Sequence, residues 1–239
     1  MKQLFGVLVA GWVLSGCSVS TPTQAHTHIG HAITGAYNTP GEVGYFELAE
    51  ARASEVLSAA ERVMTGTTLE TRQGALRDTR RIALGEEGAS FSFAGALKEA
   101  MSHIQYASES ADASSNVVRS VSELSSNTRG VTQRLGLMDR YMADALSTSD
   151  AEEFGEYARL IRELCYQNVH GADVDGNGQI GNASAEYGMR QLRADLDAMI
   201  AREEPAYTTV GRWYLFNLIR MPSGAWIFRE PKPGESRGY

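Results

Sequence analysis

ASSNVVRSVSELSSNTRGVTQRLGLMDRYMADAL, residues Ala113 to Leu146, decides the fold. Val117, Val121, Leu124, Thr128, Val131, Leu135, Met138, Met142 and Ala145 follow one another alternately by four and three residues. That is a heptad seam, the pattern of a long helix lying nearly parallel to a neighbour. Unbroken, it spans roughly 50 Å. Gly130 and Gly136 each cost about 1 kcal/mol relative to Ala inside it, which makes the stretch between them the place for a bend. The seam serves either self-association or packing within the chain's own bundle, and the second is the expectation.

Working outward, the helical period of 3.6 continues from Glu42 to Glu204. Phe46, Ala49, Ala53, Val56, Ala60 and Val63 share one face, with Thr39-Pro40 ahead as cap and first turn. A weaker helix over about Thr68–Leu84 is covered by Arg72, Arg77, Arg80 and Arg81. A third aligns Phe93, Leu97, Ala100, Ile104 and Ala107. Beyond the seam, Ser149 with Glu152 forms a capping box for a helix burying Phe154, Tyr157, Ile161, Leu164 and Cys165. A last one starts at Ser184, turns Met189, Leu192, Leu196 and Met199 inward, and ends before Pro205. The fold class is mainly α, an up-and-down bundle of five or six helices over residues 42–204. Residues 205–239 form an aromatic extension, read as a short hairpin around Met221-Pro222-Ser223-Gly224 or as a short helix.

The chain's start is an export signal. Lys2 is followed by an apolar run from Leu4 to Leu14, too short to span a bilayer, which takes about 20 helical residues. It ends in Leu14-Ser15-Gly16-Cys17, which resembles the lipobox of bacterial lipoproteins. The resemblance implies removal of residues 1–16, diacylglyceryl on Cys17 and acylation (palmitate-type) of the new amino terminus. Ser18 after the Cys, by similarity to enterobacterial sorting, favours the outer membrane facing the periplasm. With Cys17 lipidated, only Cys165 remains, among Leu160, Ile161 and Leu164, as a buried thiol. Residues 17–41 read as a lipid tether with a histidine-containing segment. The net charge of −7 becomes −8 once Lys2 leaves with the signal. An acidic chain without a basic cluster argues against nucleic acid as a partner.

Chemistry concentrates in Asp173-Val174-Asp175-Gly176-Asn177-Gly178-Gln179-Ile180. The string resembles the calcium loop of the EF-hand family over residues 173–184. The resemblance assigns Asp173, Asp175 and Asn177 to the first, third and fifth ligand places, and gives Gly178 the sharp turn. Gln179 follows with its backbone carbonyl, and Ile180 fills the apolar eighth place. Ca²⁺ takes six to eight hard oxygens, which alternate side chains of a tight loop aim at one centre. The twelfth place, a bidentate Glu in the family, is Ser184 here; Glu186 lies two residues on, in the expected first turn of the exiting helix. An unmetallated turn is the alternative. Affinity is expected at the weak extracellular end, about 10⁻⁴ to 10⁻³ M.

His26, His28 and His31 are a second candidate, a zinc or copper set if their segment folds back on itself, or a polar stretch beside the tether. His103, next to Ile104, reads as a boundary residue. The string from His28 through Thr34-Gly35 to Thr39-Pro40-Gly41, with the late acidic loop, is similar to a group of bacterial exported helical proteins without an assigned activity. Trp213, Tyr214, Phe216 and Trp226, bordered by arginines, are candidates for partner binding, with capping of the bundle or contact with the membrane surface as the alternatives. No nucleophile turn, phosphate-cradling loop or haem-attachment pair stands out, so an enzyme is not favoured. The expected function is a calcium-stabilised, membrane-anchored lipoprotein that binds or scaffolds another envelope protein. The alternative is a transition-metal-binding protein, or a metal-dependent enzyme, using the N-terminal histidines.

Overall fold

The seam becomes one 33-residue helix, Ser115–Ser147, running through both glycines. The computed structural model describes residues 23–85, 91–204, 207, 212–213, 218–220 and 226–228. Among them are seven α-helices: α1 (Gln24–Ile33), α2 (Tyr45–Thr65), α3 (Leu69–Leu84), α4 (Phe93–Glu109), α5 (Ser115–Ser147), α6 (Ala151–His170) and α7 (Met189–Ala201). All nine seam residues are buried, Thr128 included. The seam therefore packs inside the chain's own bundle: α5 lies against α3, α4, α6 and α7, and α2 against α1, α3, α4 and α6. Phe46, Phe93 and Phe154 are among the largest side chains fully enclosed between these layers.

The mainly α bundle stands, with one helix more than periodicity gave. Residues 24–33 are helical rather than a continuation of the tether, and Ala25, Ile29 and Ala32 are fully buried in the common core. The bundle thus begins ahead of Glu42. Two polar contacts explain why so short a helix holds. The Asp112 carboxylate accepts from the N–H groups of Gln24 (2.6 Å) and Ala25 (3.1 Å), meeting orphan donors at the positive end of α1. Thr23 Oγ1 accepts from His26 N at 3.0 Å.

Other boundaries shift for local reasons. Thr39-Pro40 opens a 3₁₀ turn, Pro40–Glu42, and α2 starts only at Tyr45. Asp150, not Ser149, caps α6, its carboxylate accepting from the N–H groups of Glu152 and Glu153; a carboxylate outcompetes a hydroxyl at that end. The helix expected from Ser184 is instead a 3₁₀ turn, Ser184–Glu186, followed by α7 from Met189. The extension contains strands β1 (Arg212–Trp213), β2 (Leu218–Arg220) and β3 (Trp226–Phe228), antiparallel in that order, with Leu218 opposite Phe228 and Trp213 opposite Ile219. Of the two readings of the tail the hairpin holds, with a third strand added. Tyr214, Phe216 and Cys17 lie outside the described residues, as do the side chains of Trp213 and Trp226. Among the described residues no helix is long and apolar enough to cross a membrane.

Glu203, just past α7, ties the first helix to the rest. Its Oε1 accepts from Ser114 Oγ and Asn116 Nδ2, both at 2.6 Å, and its Oε2 lies 2.9 Å from His26 Nε2. Burial pushes its carboxyl upward, but the hydrogen bonds from Ser114, Asn116 and His26 outweigh that and hold it below its ordinary value. A carboxyl depressed in the folded state contributes stability above its unfolded pKa of about 4.3, and the contribution is lost as pH falls through the folded value. Stability measured by urea unfolding should therefore decline on acidification below about pH 4. Glu203→Gln should flatten that part of the profile; an unchanged acid limb would remove Glu203 as its source.

Candidate metal centres

The acidic loop leaves α6 through Gly171, whose φ of 83° starts the turn that α6 cannot continue. Gly176, Gly178 and Gly181 also have positive φ, at 72°, 80° and 107°. Gly178 thus adopts the left-handed backbone that a tight turn needs. Asp173 accepts from the N–H groups of Asn177 (3.0 Å) and Gly178 (2.9 Å). Asp175 accepts from Asn177 N (3.1 Å) and Nδ2 (2.9 Å), and Asn177 Oδ1 accepts from Gln179 N (2.7 Å). Ile180, expected as an apolar anchor, is 43 % exposed and rides over the Gly171 stem.

Glu186 closes the loop from the far side. It is fully buried, and one carboxylate oxygen, Oε2, accepts from the N–H groups of Gly181 (3.0 Å) and Asn182 (2.9 Å). The Asn182 N–H holds its carboxyl below the ordinary value against the upward push of burial, with the backbone N–H groups of Gly181, Ala183 and Asp175 adding to the effect. Glu186 is therefore an ionised carboxylate in the interior. Its other oxygen, Oε1, is buried with no hydrogen-bond partner. Carboxylate oxygens of Asp173, Asp175 and Glu186 lie within 4.8 Å of one another. A carboxylate has about four lone-pair sites, so the N–H groups that pin Asp173, Asp175 and Glu186 do not exhaust them. Three converging carboxylates and one orphaned buried oxygen fit a hard divalent cation.

The segment carrying Glu186 is bolted to α5. Arg134, buried on that helix, donates from Nη1 to Ala185 O (2.7 Å), from Nη2 to Tyr187 O and from Nε to Asn168 Oδ1 (3.0 Å). Burial lowers its guanidinium to about 10, so it remains charged at neutral pH. One turn before it, Gly130 brings α5 so close that an added Cβ would lie 2.2 Å from Ser184 O.

The histidines divide. His26 turns to Glu203 and so leaves the set predicted with His28 and His31. His28 and His31, one turn apart on α1, instead meet His103 of α4, with ring nitrogens of all three within 4.8 Å. His28 Nδ1 and His103 Nδ1 are 3.4 Å apart. Tyr45 stacks on His103 with ring centres 5.4 Å apart and planes 19° off parallel, and Asn38 Nδ2 donates to its hydroxyl at 2.6 Å. The sequence does not single out His103, because nothing in it tells which helix α1 lies on. The available signal was that His28 and His31 flank the Ala25–Ile29–Ala32 row as His103 flanks Ala100–Ile104–Ala107.

Cys165 is a buried free thiol, as expected, and burial pushes it up to about 12, so it is inert. No protein-family model, curated protein or solved structure matches this chain.

Proposed function

We propose that the mature chain is a lipid-anchored envelope protein whose bundle is clamped by calcium and serves as a binding or scaffolding module for another envelope protein. The observation that carries the calcium reading is Glu186 Oε1, buried and unpartnered beside Asp173 and Asp175. Asp173, Asp175, Asn177, the Gln179 carbonyl and Glu186 are the residues that would hold the ion. When bound, calcium supplies the positive charge that three gathered carboxylates otherwise lack. Arg134 and Gly130 fix the Glu186 segment to α5, so ordering the loop orders the joint between α5, α6 and α7. Glu186 thereby stands in for the missing twelfth-place ligand at Ser184. The anchor rests on Leu14-Ser15-Gly16-Cys17, and the outer membrane on Ser18.

Two experiments test this. Cys17→Ser should move the protein from the membrane to the soluble exported fraction or leave it uncleaved; a processed variant that still sediments with membranes would contradict the anchor. For the module, full-length protein recovered from solubilised membranes should bring down its partner with millimolar calcium and lose it to a chelator. The same recovery under both conditions would mean that calcium does not shape the binding surface.

A further inference from the structure

Away from the acidic loop, α1 and α4 gather three imidazoles of His28, His31 and His103, and that group contains no carboxylate. We infer that they form a second metal site, selective for a late transition ion such as zinc(II) or copper(II), with one coordination position left open. This inference does not depend on the calcium reading.

The spacing fits such an ion. In tetrahedral coordination with metal–nitrogen bonds of 2.0–2.1 Å, two ligand nitrogens stand about 3.4 Å apart. The His28 and His103 Nδ1 atoms are separated by 3.4 Å. The third ring lies edge-on to His103 with centres 4.9 Å apart, within reach of the same point. Imidazole nitrogens suit zinc and copper, whereas calcium takes hard oxygens, so the two centres select different ions. The flat contact with Tyr45, itself only 4 % exposed, fixes the His103 ring before any ion arrives. All three histidines are partly accessible. Three protein ligands at an accessible place describe a site that exchanges ions or admits an outside ligand, unlike a closed four-ligand structural zinc.

The test is a titration of the metal-stripped full-length protein with zinc chloride alone and copper chloride alone, followed by calorimetry. Cobalt substitution supplies the visible absorption of a tetrahedral nitrogen site. One ion per chain is expected, unaffected by excess calcium. His28→Asn and His103→Asn should each weaken it at least about a hundredfold, whereas His26→Asn should not. Should His103→Asn fail to fold, His31→Asn takes its place, with circular dichroism of the metal-free variants as the folding check. Absence of binding, affinity in the folded His28 and His103 variants equal to that of the unmutated protein, or displacement of zinc by calcium would each overturn the site.

Discussion

Gly130→Ala should destabilise the protein by about 3 kcal/mol, whereas Gly136→Ala, six residues further along the same helix, should stabilise it by about 1 kcal/mol. In both cases Ala relieves the conformational cost of Gly in a helix. At Gly136 nothing lies within 4 Å of the new Cβ, so the gain is kept. At Gly130 the Cβ would meet Ser184 O at 2.2 Å, with Ser184 C and Ala185 Cα at 3.2 Å. These are backbone atoms, and Arg134 holds the segment at Ala185 and Tyr187, so the strain has no flexible side chain to absorb it. Urea unfolding reads the difference as midpoints moving in opposite directions with the slope unchanged. Stabilisation by both substitutions would mean that the 3₁₀ turn does not press on α5.

Calcium should raise the melting temperature. At free calcium ten times Kd, mass action contributes about 1.4 kcal/mol, or about 4 °C for a chain of this size. Asp173→Ala should abolish that increment while changing the calcium-free melting curve little, because Asp173 is exposed and its hydrogen bonds are local to the loop. Magnesium should act weakly, since it demands a tight octahedron and gives up water reluctantly. Gly130→Ala should also blunt the response, because it displaces the segment that carries Glu186. A calcium increment undiminished in Asp173→Ala would place the effect elsewhere in the chain.

How much of this was legible in advance follows from what periodicity can carry. The nine-residue seam on α5 announced itself because a long helix repeats its burial pattern many times, and every one of those residues is buried. Helix α1 does not stand out in the sequence because Ala25, Ile29 and Ala32 make only a brief apolar row between histidines. Its order is imposed from outside, by Asp112 and Glu203, about 90 and 180 residues away along the chain. The acidic loop was readable from the spacing of Asp173, Asp175 and Asn177, which is local. The burial of Glu186 was not, since it depends on Gly130 and Arg134 of α5 arriving against the turn. The same limit hid His103: a ligand set spread over two helices is a property of their packing, and neither helix alone displays it.

The most direct measurement is a pair of calcium isotherms, one on the full-length protein and one on Glu186→Gln. Gln keeps the shape and an acceptor for the Gly181 and Asn182 N–H groups but removes the charge. The expected result is one calcium per chain in the unmutated protein and affinity weakened by at least about tenfold in the variant. Equal affinity in both would contradict the role of Glu186 as the ligand that closes the loop.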